Sequence, residues 1–224
     1  MIFVDYDNFR SSLTHLHHTR QAKVSRLADF IMQYIGVKMG YEKYNPELIR
    51  TYVYTGEYAD TTIQRIKSHR DTENKKEKKE KIIKLLGDIE RRSDGQRKFF
   101  ENAIQFDFLE LRVKPLQYSP QGIKVFQKGV DVQIAVDLLA NAYRNNYDVA
   151  VLCSGDVDLL ESIKMVKDLG KKIIIMCHKN LMSKNIRKNA DHVILMEELG
   201  VDEIEKFSYL PAVGGNQFMT NTSS

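Results

Sequence analysis

Two short runs in the second half of the chain, Val149-Ala150-Val151-Leu152-Cys153 and Ile173-Ile174-Ile175-Met176, are apolar at every position. A strand with one wet face alternates apolar and polar residues, so an unbroken run reads as a strand covered on both sides. Val132, Ala135, Val136, Leu139, Ala142 and Tyr143 form a helical stripe before the first run, and Leu160, Ile163, Val166 and Leu169 form another between the two. Apolar residues three and four apart mark a helix with a face on a core. Helices alternating with doubly covered strands require a parallel sheet between helical layers. The pattern predicts a three-layer α/β domain with a mainly parallel central sheet.

The first half continues the alternation. Met1 to Val4 reads as a strand that stops at Asp5-Tyr6-Asp7-Asn8, Val24 to Ile35 as an amphipathic helix ended by Gly36, and Ile49 to Tyr54 as a strand closed by Gly56. Val193 to Met196 supplies a last strand. Phe106 to Val113 and Ile123 to Phe126 flank Ser119-Pro120-Gln121-Gly122, whose composition suits a turn, and predict a hairpin. From about 61 to 105 the charge density rises, with one apolar stripe at Ile82, Leu85, Leu86 and Ile89. This predicts a charged helical insertion, most simply a solvated helix face. The sharper alternative makes Lys75, Lys76, Lys78, Lys79, Arg91 and Arg92, with Arg97, Lys98 and Lys128, a guide for a nucleic-acid backbone. Residues 1–210 are expected to form a single domain and 211–224 a loose tail.

At 224 residues the chain is long enough for one substantial core. It holds no run of roughly 20 apolar residues, the length needed to span a bilayer, and no basic-then-apolar leader, so a cytoplasmic protein is expected. Cys153 and Cys177 lie inside apolar runs and read as core residues. The net charge of +4 leaves attraction for nucleic acid to local clustering.

Acidic residues recur where strands end. Asp5 and Asp7 follow the first strand, Asp131 opens the helix after Lys128-Gly129-Val130, and Asp156 and Asp158 follow the Cys153 strand. Parallel sheets gather ligands at the carboxyl ends of their strands. Carboxylates crowded there take up protons unless a cation offsets them, and an all-oxygen donor set favours Mg²⁺ or Mn²⁺. Each aspartate singly could instead cap a helix. Asp137 lies inside a helix, as a further ligand or a solvated residue, and Asn8 either stabilises a turn or orients Asp5. His15, His17 and His18 lack a recognised zinc spacing, and Tyr41, Tyr44, Tyr52, Tyr54 and Tyr58 read as core or rim residues.

In order along the chain, Phe3-Val4-Asp5 with Asn8, Tyr54-Thr55-Gly56, Lys128-Gly129-Val130-Asp131-Val132 through Asp137, Ser154-Gly155-Asp156-Val157-Asp158 and Ala190-Asp191 resemble the NYN family of PIN-like nucleases. Tyr6 stands where that family often has glycine. The resemblance implies a PIN-like, Rossmann-like fold and hydrolysis of phosphodiester bonds, with RNA favoured over DNA as the partner. It also implies Mg²⁺ or Mn²⁺ held by Asp5, Asp131, Asp156 and Asp158, with Asn8, Asp137 and Ser154 in support. A homodimer is compatible with it. Two competing readings are a haloacid dehalogenase-like phosphatase, suggested by Asp5-Tyr6-Asp7, and a non-catalytic nucleic-acid-binding module.

Overall fold

In the computed structural model, residues 1–210 are described; the stretch expected as a loose tail, 211–224, lies outside the described residues. Strand β1 (Ile2–Asp5) leads directly into helix α1 (Tyr6–Leu16), and a short β2 (Gln21–Ala22) precedes α2 (Val24–Met39). Strand β3 (Thr51–Glu57) is followed by α3 (Asp60–Thr72) and the long α4 (Lys76–Ala103), then by β4 (Leu109–Pro115), β5 (Gln117–Ser119) and β6 (Lys124–Phe126). The second half alternates: α5 (Val130–Tyr143), β7 (Val149–Cys153), α6 (Leu160–Asp168), β8 (Lys172–Cys177), α7 (Lys184–Asn189), β9 (His192–Leu195), α8 (Val201–Phe207) and β10 (Ser208–Tyr209).

Six strands form one sheet in the order β4-β3-β1-β7-β8-β9, with every neighbouring pair parallel. The chain winds from β1 outward to β4, returns to the middle, and winds the other way from β7 to β9. The reversal falls between β1 and β7, where Val4 is in register with Cys153. Adjacent connections leave the sheet in opposite directions at such a switch point and open a crevice above the strand ends.

Both faces of the sheet are covered, as the unbroken apolar strands require. One face packs Phe3, Leu152 and Ile175 against Ile134 and Leu138 of α5, Ile163 and Val166 of α6 and Ile186 of α7. The other packs Val4, Val151, Cys153 and Met176 against Phe9 and Leu13 of α1, Leu27 and Ile31 of α2 and Phe207 of α8. Cys153 and Cys177 are buried free thiols in these two layers, as their apolar surroundings indicate. The antiparallel pair β2–β10 joins the α1–α2 connection to the end of α8.

Four local expectations are corrected. Phe106–Val113 does not pair with Ile123–Phe126: β4 is the edge strand of the main sheet, parallel to β3, and the hairpin is the short pair β5–β6 beyond it. Gly36 sits inside α2, which ends four residues later at Gly40 in the left-handed region, φ 70°. Gly56 likewise lies within β3 rather than closing it. The stripe in α5 is displaced, because Val130, Ile134, Leu138 and Ala142 face the core, whereas Val132 and Tyr143 are 66% and 82% exposed. A helix apolar on nearly every side gives periodicity no face to select.

The charged stretch folds as two helices, α3 and α4, with a small core of its own. Ile66, Ile82, Leu86 and Ile89 pack with Tyr118 of the β5–β6 hairpin.

Candidate metal centre

Asp5 ends β1 and starts α1. It is 5% exposed, and its Oδ1 accepts the Asn8 backbone N–H at 3.1 Å, so it caps the helix. Asn8 contributes through its main chain, while its side-chain Oδ1 is buried without a hydrogen-bond partner. Across the switch point, Ser154 Oγ donates to Asp5 Oδ2 at 3.4 Å and accepts the Asp156 N–H at 3.3 Å. Asp156 Oδ1 in turn accepts the Asp158 N–H at 3.0 Å. This chain of bonds fixes the ends of β1 and β7 to each other and aims the Asp156–Asp158 turn. Asp156 does cap a helical turn, as the simpler reading of it held, and so does Asp5. Asp131 does not, because the cap of α5 is Gly129, at φ 79°.

Asp131, Asp156 and Asp158 each present a carboxylate oxygen, and the three oxygens lie within 4.8 Å of one another. The electrostatics show the crowding. Asp131 has its pKa raised, first by burial and then by Asp156 and Asp158. Asp5 is pushed up to about 7, chiefly by burial, against the Asn8 N–H that lowers it, with Asp131, Asp7 and Asp156 raising it further. Repulsion among desolvated carboxylates is relieved by a cation or by protons. Three convergent oxygens with no nitrogen or sulfur ligand fit a hard divalent ion such as Mg²⁺ or Mn²⁺.

The turn after β7 tolerates only glycine at position 155. A Cβ there would lie 2.4 Å from the Leu181 carbonyl oxygen and 2.6 Å from Met182 Cα, both backbone atoms. The close approach is used, since Ser183 N–H donates to the Gly155 carbonyl at 3.1 Å. Gly155→Ala is therefore expected to destabilise the protein by roughly 1–3 kcal/mol, the scale of forced backbone shifts. It should also weaken divalent-metal binding, because the turn carries Asp156 and Asp158. Urea unfolding with and without metal measures both effects.

Asp137 lies outside the three-carboxylate group. Six residues make about 1.7 turns of helix, so Asp131 and Asp137 leave α5 on different sides. Asp137 Oδ2 accepts the Tyr54 hydroxyl at 3.0 Å, and Arg112 Nε stands 3.8 Å away, its guanidinium carbon 4.8 Å from the centre of the Tyr52 ring. The aspartate thus ties α5 to β3 and β4. Asp7 also points elsewhere, pairing with Arg10 at 3.3 Å. Lys128 is exposed beside Gly129, whereas Lys75, Lys76, Lys78, Lys79, Arg91 and Arg92 lie on α4 or at its cap. Arg91 pairs with Asp88, and Arg97 with Asp94 at 3.2 Å. His15 belongs to α1 and faces the His178 ring at 5.1 Å, while His17 and His18 follow the helix.

Two residues of this region escape sequence reasoning. Gln96 of α4 donates to the Gly56 carbonyl at 2.7 Å and accepts the Tyr58 N–H at 3.0 Å, gripping the end of β3. Nothing in a lone helical glutamine signals that. Arg112 is more legible: Glu110, Arg112 and Lys114 alternate with Leu109, Leu111 and Val113, the pattern of a strand with one charged face.

The sequence profile of the NYN domain matches residues 1–197, nearly the whole described chain. The chain belongs to the NYN domain family. NYN domains are typically PIN-like nucleases, a membership that supports a hydrolase of nucleic acid and the general use of divalent metals. An uncharacterised protein of Methanocaldococcus jannaschii is 31% identical over 86 residues, which is 37% of this chain and 36% of that protein. The match thus spans about a third of that relative's length. A protein of unknown function from Vibrio parahaemolyticus has the same fold, with a TM-score of 0.55 over 93% of this NYN chain and 94% of that one at 18% identity. Among the described residues, no helix is long and apolar enough to cross a membrane.

Proposed function

We propose that this NYN protein is a metal-dependent ribonuclease that hydrolyses phosphodiester bonds at the β1–β7 switch point. The observation that carries the reading is the convergence of Asp131, Asp156 and Asp158 from two separate elements, with Asp5 buried behind them. Asp131, Asp156 and Asp158 hold the ion, and Asp5, restrained by Asn8 N–H and Ser154, completes the acidic field around it. Bound Mg²⁺ or Mn²⁺ supplies a lowered pKa for water and a positive charge for the oxygens of the phosphoryl group. The groove beside the centre, about 280 Å³, is lined by Val132, Ala135, Val136 and Leu139 as well as Asp131 and Asp158. Its apolar wall suits a base or sugar, and its acidic end suits a metal-bridged phosphate. RNA rather than DNA rests on the family resemblance.

The phosphatase reading needs Asp5 and Asp7 to act as a pair, yet Asp7 is turned to Arg10. A pure binding module gains nothing from concentrated carboxylates, which repel phosphate without a cation between them. The deciding experiment incubates labelled RNA, matched DNA and a phosphomonoester with the protein in Mg²⁺, Mn²⁺ or chelator. Cleavage of RNA in metal and none in chelator is expected. Hydrolysis of the monoester with RNA left intact sinks the proposal in favour of the phosphatase. RNA retained but uncut in every buffer leaves the binding module.

A further inference from the structure

The positive excess of this protein is gathered in one segment of the chain. Residues 65–84 contain nine lysines and arginines against four acidic residues, a local excess of five, while the whole chain carries +4. Everything outside that segment is slightly acidic in sum. The segment spans the outer part of α3, the turn after it and the first turns of α4.

The arm these helices make is anchored on the same edge of the sheet as the metal centre. Gln96 grips the end of β3, the Phe99 ring stacks on Tyr6 at 4.7 Å just after Asp5, and the hairpin packed against the arm runs on into Lys128 and the start of α5. From Gln96 outward to Lys76 the helix advances about 30 Å. The small core of Ile66, Ile82, Leu86 and Ile89 stiffens that length, so the tip is carried at a set distance.

Part of this charge is answered locally, since Lys78 acts on Glu73 and Lys79 on Asp71 at the end of α3, and the Lys75 N–H donates to Glu73 at 2.9 Å, but the excess of five remains after every acidic residue of the segment is counted. The start of a helix favours acidic side chains, because its exposed N–H groups are a partial positive charge. Here Lys75 caps α4 and Lys76, Lys78 and Lys79 follow, with Glu77 the acidic residue of the first turn. Lys81 is balanced by Glu77 at 2.8 Å in the way a solvated helix face is built, whereas Lys75 and Lys79, four apart, place like charges together. A net excess of cations at the start of a helix, on a stiff arm anchored at the strand ends that carry the carboxylates, matches a polyanion arriving from outside.

We propose that the tip of the arm is a second RNA contact, gripping the backbone of the strand that leaves the metal centre. At about 3.4 Å per stacked nucleotide, the arm's reach corresponds to roughly nine nucleotides. The preferred substrate is then an RNA with a flank at least that long, drawn to the arm by its phosphates and cut at the carboxylates. The choice of RNA and the cutting rest on the ribonuclease reading; the grip on backbone does not depend on catalysis.

The test combines Lys75→Glu, Lys76→Glu, Lys78→Glu and Lys79→Glu in one variant, checked for a melting temperature no lower than that of the unaltered protein. Fluorescence anisotropy with a labelled 30-nucleotide RNA in chelator is expected to show at least tenfold weaker binding at low salt. The slope of log affinity against log salt should become shallower by about 3, four phosphate contacts on a single strand. Cleavage in metal of RNAs that share one cut segment but carry flanks of 4 to 20 nucleotides supplies the second reading. The unaltered protein should gain kcat/KM, at constant kcat, as a flank passes roughly nine nucleotides, and the variant should not. Equal affinity and equal salt slope in the two proteins overturn the proposal, as does cleavage indifferent to flank length. If no RNA is cut, the ribonuclease reading falls, and the binding comparison still decides the arm.

Discussion

Asp156→Asn is expected to reduce metal-dependent RNA cleavage by on the order of 10²- to 10³-fold, the scale of removing one charged group that stabilises a transition state. The substitution is close to isosteric. Its Oδ1 still accepts the Asp158 N–H, so the turn after β7 keeps its shape while one negative ligand is lost. Asp131→Asn, from the first turn of α5 rather than the turn after β7, is expected to show a loss of the same order. Combining the two should cost far less than the product of the single losses, because residues that act as a unit are not additive. Single-turnover cleavage and thermal melting, measured together, distinguish this from unfolding: rate falls while the melting temperature holds or rises. Full activity in both variants removes the carboxylate cluster from the reaction.

The second large effect concerns stability. With metal removed, Asp5 is expected to contribute stability that grows as pH falls from about 7 to about 4, read as the difference between the unaltered protein and Asp5→Asn. Asp5 has a folded pKa of about 7 against 3.8 for its ordinary value, so the native state binds the proton more tightly than the unfolded chain. The stabilisation is complete below the ordinary value and is lost as pH rises through the folded one. A shift of this size is worth up to about 4 kcal/mol. Asp5→Asn should flatten the profile and raise metal-free stability at pH 7.5, since the amide retains the Asn8 cap without the buried charge. Saturating Mg²⁺ or Mn²⁺ should stabilise both proteins at pH 7.5, the unaltered one by more, because only there does the ion also offset the buried Asp5 charge. Urea unfolding of both proteins across pH, with and without metal, reads this directly, and a metal-free difference between them that does not change over that window refutes it.

The parts of the fold that could be read from sequence are those whose environment is uniform. The strands around Val151 and Ile174 are apolar because both faces are covered, and the helices between them follow from spacing. What could not be read depends on partners distant in the chain. The pairing of β4 with β3 rather than with the following segment is decided by the sheet edge, which no local turn composition reports. The outward face of α5 carries exposed Val132, Val136 and Tyr143, so spacing alone does not single out the buried stripe. At the candidate centre, the carboxylates announce themselves by recurring after strands, and the structure groups Asp131, Asp156 and Asp158 with Asp5 close by. The division of labour among them is invisible in sequence. Asp5 and Asp156 are caps as well as acids, and Asp137, six residues beyond Asp131, is engaged by Tyr54 and Arg112.

The strand order also governs when such a centre comes into being during synthesis. β1 is made first but sits between β3 and β7, and its Asp5 has no Ser154 beside it until about 150 further residues have been joined. The three grouped carboxylates span positions 131 to 158, so a nascent chain still short of β7 has an open flank on β1 and no assembled acidic group. On the proposed ribonuclease reading, a ribosome-bound fragment that ends before β7 lacks the carboxylate group it would need to cut the message being translated.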